Sequence, residues 1–190
     1  MTLSGNEVTL EPLQMKHARE LWEGAQEPGL FAHLAPGTES GFGAFKGWIS
    51  RRLEEAGQQT ALPFMIRGKQ TGRPIGSTSM FNISTRHHRL EIGHTWLRKE
   101  WRGSKANPEA KLLMLTHAFE EMEAVRVQFK VDTRNIAAQK AMEHIGGVLE
   151  GQMRNERILT DGFIRDAYVY SIIKREWPDV KRQLNAQVWA

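Results

Sequence analysis

Trp101-Arg102-Gly103-Ser104-Lys105-Ala106 is a short cationic turn set directly before Asn107-Pro108-Glu109. Asn107 is a good N-cap, Pro108 suits the first helical position and Glu109 complements the positive dipole end, so a helix is predicted to open at Asn107. The first backbone N–H groups of such a helix have no partner inside it. With Arg102 and Lys105 beside them, they make an anion seat suited to phosphate. A solvated strand-to-helix turn is the alternative reading, and the residues alone leave both open. Two better-known phosphate loops are absent. No Gly-x-x-x-x-Gly-Lys-Ser/Thr occurs, and no Gly-x-Gly-x-x-Gly follows a strand; Gly41, Gly43 and Gly47 miss that spacing.

The turn needs elements to hold it. Val8 to Leu10 reads as a strand, and Met15, Ala18, Leu21, Trp22 and Ala25 then recur at helical spacing. Phe42, Phe45, Ile49, Leu53 and Ala56 mark a second amphipathic helix ended by Gly57. Leu62–Arg67, Ile75–Ile83 and Leu90–Leu97 read as three strands. A helix from Asn107 to about Met122 follows, carrying Leu112, Leu115, Phe119 and Met122 on one face. Val125 to Val131 alternates apolar with Arg126, Gln128 and Lys130, the pattern of a half-buried strand. Asn135 caps a further helix that Gly146-Gly147 stops. A hairpin from Val148 to Ile173, turned at Thr160-Asp161-Gly162, completes the pattern, and Trp177-Pro178 is read as its end.

The expected order is β-α-α-β-β-β-α-β-α-β-β, an α/β (α+β) fold. Only residues 90–131 have the strand–helix–strand form of a parallel pair, so the sheet should be mixed and mostly antiparallel. In such sheets ligands favour the place outside the carboxyl ends of parallel strands.

With 190 residues and 40% hydrophobic content, one domain spanning residues 1–190 is expected. No apolar run suits a membrane span, and Met1 to Leu10 lacks the layout of a signal peptide, so a cytoplasmic location is expected. With no cysteine, disulfides, thiolate metal sites and cysteine nucleophiles are excluded. His87, His88, Glu91 and His94 match no standard ligand spacing, and no metal is expected. The net charge of +4 is partly local, crowded between Arg86 and Lys105. A small polyanion, a nucleic acid or plain solvent would each suit that stretch.

Several stretches carry a resemblance: Glu91-Ile-Gly-His-Thr-Trp-Leu97, Asn107-Pro-Glu-Ala-Lys-Leu-Leu113, His117-Ala-Phe-Glu120 and the helix from Asn135 to Gly146. Glu150-Gly151, Asp161-Gly162, Arg165-Asp166 and Glu176-Trp177-Pro178 add to them. Through these, over nearly its whole length, the chain resembles the GCN5-related N-acetyltransferase (GNAT) family, in its ribosomal-protein N-terminal acetyltransferase branch. The resemblance implies the acyl-CoA N-acyltransferase fold and acetyl-CoA as cosubstrate, lying between splayed strands that end near Leu97 and begin near Val125. It places the family's phosphate pattern on Arg102, Gly103, Ser104, Lys105, Ala106 and Asn107. Backbone groups of Thr95 and Leu97 would meet the pantetheine arm and acetyl carbonyl, with Asn135 near that arm. It implies direct transfer to a primary amine, on a protein N-terminus or a small molecule, and allows a homodimer.

The same resemblance points to Glu91 as the base that frees the amine of its proton. Strand alternation would set Glu91 with Gly93 and Thr95, opposite Leu90, Ile92, His94 and Trp96. His94 is the rival base. Lys105 and Asn107 replace family glycines. Met142 and Ala138 stand where relatives carry a tyrosine or serine that protonates the leaving thiolate, and Tyr168, Tyr170 and Ser171 are the candidate substitutes. A CoA-binding protein with attenuated catalysis and a nucleic-acid-binding protein are the competing readings.

Overall fold

The computed structural model describes residues 1–35 and 37–189. Its strands are β1 (Leu3–Ser4), β2 (Val8–Pro12), β3 (Ala61–Gly68), β4 (Pro74–Ser84), β5 (Arg89–Leu97), β6 (Arg126–Asp132), β7 (Val148–Ile158) and β8 (Ile164–Ile173). They form one sheet in the order β1-β2-β3-β4-β5-β6-β8-β7. Every pairing is antiparallel except β5 with β6, the pair that the strand–helix–strand spacing predicted.

Among the described residues, five α-helices cover the sheet: α1 (Ala18–Gly24), α2 (Phe42–Gly57), α3 (Ala106–Thr116), α4 (Ile136–His144) and α5 (Trp177–Trp189). On one face, Ala110, Met114 and Leu115 of α3, Met142 of α4, and Val180 and Leu184 of α5 pack with Ile66, Ile92, Val127 and Phe129. On the other, α1 and α2 close over Phe31, Phe45, Trp48 and Trp96, whose rings meet at centroid distances of 5.7–6.3 Å. Among the described residues, no helix is long and apolar enough to cross a membrane.

Three local expectations are corrected. Trp177-Pro178 starts a helix instead of ending the pattern. Proline is welcome in a first turn, and Val180, Leu184 and Val188 then recur every four residues as the buried stripe of α5. Trp177 also stacks on Phe119 at 5.3 Å and donates its Nε1–H to Glu120 Oε1 at 2.7 Å. A short strand, β1, precedes the first one expected and pairs with β2.

The third correction concerns α3, which begins one residue early. Lys105 holds the N-cap position without a side-chain cap bond, and Asn107 lies inside the first turn. Ser104 does the local work: its hydroxyl accepts from the Ala106 N–H at 3.2 Å and donates to the Trp101 carbonyl at 2.7 Å. Glu109 is in the first turn, but its carboxylate accepts the backbone N–H groups of Asn6, Glu7 and Val8 at 2.7, 2.8 and 2.7 Å. One buried side chain thereby ties the β1–β2 turn to α3.

Candidate active site

The parallel pair holds for three registers, Arg89↔Arg126, Leu90↔Val127 and Glu91↔Gln128, and then the two strands diverge. The gap is a cleft of about 520 Å³ lined by Ile92–Leu97 on one side and Phe129–Asp132 on the other. The Arg98 N–H donates to the Ile75 carbonyl of β4, so strand alternation turns the main-chain groups of Leu97 and Thr95 toward the gap. These are the backbone groups expected to meet a cofactor arm. The cleft also takes in Arg102, Gly103 and Asn107 from the turn before α3, and Asn135, Ala138 and Met142 from the start of α4. Asn135 caps α4, its Oδ1 accepting the Ala138 N–H at 3.0 Å.

Of the expected seat, Arg102, Gly103 and Asn107 line the cleft, and Ser104, Lys105 and Ala106 complete the turn between them, with Ala106 buried. Gly103 has φ +75°, a conformation costly for residues with a Cβ. Among the described residues, the N–H groups of Gly103 and Ser104 make no hydrogen bond. Arg102 donates through Nε to Leu97 O at 3.1 Å and pairs with Glu27 through both terminal nitrogens, at 3.1 and 2.6 Å. An exposed pair of this kind is weak, so the guanidinium can exchange Glu27 for phosphate at little cost.

Further along β5 the expected alternation fails. Ser77 pairs with Trp96 and Ser79 with Gly93, so His94 and Thr95 together oppose Thr78, and His94 has φ +51°. This bulge shifts the side-chain phase. His94 and Trp96 join Glu91 on the α2 face. Thr95 turns the other way, to α3, where Lys111 Nζ donates to its Oγ1 at 2.8 Å. The predicted grouping of Glu91 with Thr95 is thereby corrected.

Glu91 is buried, and its Oε2 takes three contacts: Asn82 Nδ2 and Gln128 Nε2 at 3.2 Å each, and Lys130 Nζ at 3.5 Å. Its Oε1 has no partner among the described residues. The carboxylate does not line the cleft itself; it stands behind Lys130, which does. His94 lines the cleft, but Arg52 Nη1 lies 2.6 Å from its Nε2. A guanidinium only donates, so Nε2 supplies the lone pair and the ring proton sits on Nδ1. Burial, reinforced by Arg52, Arg157 and Arg165, pushes the His94 pKa down to about 3. A ring with an engaged lone pair and that acidity makes a poor base.

At the far wall Asp132 binds Arg134 at 2.7 Å and His33 at 3.3 Å. Burial would raise its pKa, but the Arg134 guanidinium and N–H, with the His33 ring, hold it at about 2. None of the three suggested proton donors on the last strand reaches the cleft. Tyr170 is buried in the core, and Ser171 donates to Glu150 Oε1 at 2.7 Å.

Sequence reading missed Lys111, Lys130, Asp132, His33 and Glu27, which all line or close this cleft. A signal existed for Lys111. It interrupts the stripe Ala110, Met114, Leu115 and Ala118, where a charge is out of place.

Comparison with known proteins agrees with this geometry. A family model described as "Acetyltransferase (GNAT) domain" matches residues 7–148. YdaF of Bacillus subtilis strain 168, provisionally named a ribosomal N-acetyltransferase, is 33% identical over 110 residues. That alignment covers 58% of this chain and 59% of YdaF. A crystal structure from T. thermophilus, provisionally described as an acetyltransferase, is 38% identical with a TM-score of 0.89, covering 98% of this chain and 96% of its own. Mycobacterium smegmatis RimJ, solved with CoA-disulfide, shares the fold at 21% identity and a TM-score of 0.84, with coverages of 98% and 94%.

Proposed function

The chain belongs to the GNAT acetyltransferase family, and on that premise we propose that it transfers the acetyl group of acetyl-CoA to a primary amine by direct attack in a ternary complex. One observation carries this reading: β5 and β6 part after Glu91 and Gln128, and the gap runs from the basic turn at Arg102–Asn107 to the bulge at His94. The Gly103 and Ser104 amides and Arg102 are suited to the diphosphate. The outward main-chain groups of Thr95 and Leu97 are suited to the pantetheine amides and to the carbonyl oxygen on which charge develops. Asn135 stands near the same arm.

The amine must lose a proton before it can attack. Glu91 takes it on the open Oε1 through water, while Asn82, Gln128 and Lys130 hold the other oxygen. Holding amine and thioester together in one cleft supplies much of the acceleration. A protein N-terminus is the acceptor class suggested by the ribosomal-protein relatives, and a small-molecule amine is the alternative. A cytoplasmic location and a homodimer belong to the same reading.

Met142 and Ala138 favour one competing reading, a CoA-binding protein with attenuated catalysis. Incubation with acetyl-CoA and a panel of amines and peptides separates the two. The transferase is expected to release CoA in an amine-dependent manner, well above the hydrolysis blank. Binding of acetyl-CoA without such release would leave the attenuated protein.

A further inference from the structure

Lys111 is a charged side chain that the chemistry above leaves unused. It stands on α3 at 2% exposure and lines the cleft. An ammonium carries three N–H donors. Lys111 spends one on Thr95 Oγ1, and that oxygen is shared with Thr78 Oγ1 at 2.7 Å. No other acceptor for Nζ is present among the described residues.

The surroundings of Nζ are hydroxyl, amide and apolar groups. Thr95 faces it from β5, Thr78 stands behind Thr95 on β4, and Asn107 lies one turn earlier on α3. Across the gap, β6 presents Lys130 and Asp132, the latter already bound to Arg134 and His33. His94, also on β5, faces α2 instead. Burial, with no charged partner to offset it, pushes the Lys111 pKa down to about 7.

A buried ammonium without a counter-anion is costly and calls for an explanation. Acetyl transfer creates an anion in this cleft, because the breaking acyl–sulfur bond leaves its electron pair on sulfur. Met142 and Ala138, which also line the cleft, carry no proton to give. We propose that Lys111 is the proton donor to the departing thiolate of CoA, an inference that rests on the acetyltransferase reading of the cleft.

Bonds and protons balance in this step. The amine nitrogen–carbon bond forms as the carbon–sulfur bond breaks. Lys111 gives its Nζ proton to sulfur, so CoA leaves as the thiol. The proton that the ammonium lost before attack has passed by way of water to Glu91 and on to solvent, and the second proton, shed by nitrogen as the amide forms, takes the same path. Lys111, then neutral, regains a proton from solvent. A free thiol titrates near 8.5, so a donor at about 7 delivers its proton downhill.

Lys111→Met tests this with four readouts. Its melting temperature is expected to match or exceed that of the wild type, since a buried charge is removed. Acetyl-CoA affinity by calorimetry should stay within about threefold, while kcat falls by about 30- to 100-fold. In the wild type, kcat should decline as pH rises past the pKa of the donor, because only the protonated form acts; the variant should lose that falling limb. Mass spectrometry of wild type incubated with acetyl-CoA alone should find Lys111 unmodified.

A variant with wild-type kcat would overturn the proposal. So would parallel loss of affinity and turnover, which would make Lys111 a binding residue, or acetylation of Lys111 itself, which would make it a nucleophile. A folded wild type that does not bind acetyl-CoA would overturn the acetyltransferase reading beneath it, a result distinct from the other three.

Discussion

Glu91→Gln is expected to lower kcat by about a hundredfold while leaving acetyl-CoA affinity within about twofold of wild type. The substitution keeps the size and hydrogen-bonding reach of the side chain but removes its ability to take a proton. Asn82 and Gln128 can still donate to a glutamine oxygen, and Lys130 keeps its place on the cleft wall. Binding should persist because Glu91 lies behind that wall and away from the turn at Arg102–Asn107. Steady-state kinetics with a reactive amine, beside a calorimetric titration, measures both quantities. Unchanged kcat would remove Glu91 from the proton path and leave attack to amines already neutral in solution.

Glu109→Ala is expected to destabilise the fold by about 3 kcal/mol, since three backbone N–H groups lose their acceptor and a buried hydrogen bond to a charged group is worth about 1.5–3 kcal/mol. For a chain of this size that corresponds to a fall of roughly 6–12 °C in melting temperature. Asn6 and Glu7 lie in the turn joining β1 to β2 and Val8 opens β2, and among the described residues their N–H groups close no other bond. Glu109→Gln, which keeps an acceptor oxygen, should lose less. Thermal unfolding of both variants checks the ordering. A loss below about 0.5 kcal/mol for the alanine variant would mean that water replaces the carboxylate freely.

Most of the frame was legible because its signals are local. The alternation Val125, Val127, Phe129, Val131 requires a half-buried strand, and the Asn135 cap followed by Gly146-Gly147 brackets α4. The single parallel pair followed from spacing alone, and with it the position of the cleft. Readings failed where a residue does something its type does not announce. An alternating run of strand residues does not announce a positive φ in its middle, so the bulge at His94 was invisible, and with it the separation of Thr95 from Glu91. Pro178 reads equally as a stop or a start, because proline both ends and begins helices, and the four-residue repeat behind it decides which. Asn107 resembled a cap, but Ser104 and Lys105 already close the turn.

The cleft wall was less legible than the seat. Lys130 and Asp132 come from β6, and Glu27 and His33 from the loop between α1 and α2, so the two pairs meet only through the fold. Glu27 pairs with Arg102 and Lys130 with Glu91, partners distant in sequence, while Asp132 also binds its near neighbour Arg134. Lys111 is the exception, a lysine within an apolar helical stripe.

The central claim is that this gap in the sheet holds acetyl-CoA by its diphosphate. Titration calorimetry of folded protein with acetyl-CoA, run at two temperatures so that a vanishing enthalpy at one is not mistaken for absence of binding, tests it directly. Saturable one-to-one heats are expected, with affinity reduced about tenfold in Arg102→Ala. Folded protein that gives no saturable heat at either temperature, or an Arg102→Ala variant that binds as tightly as wild type, would contradict the assignment of the diphosphate to this turn.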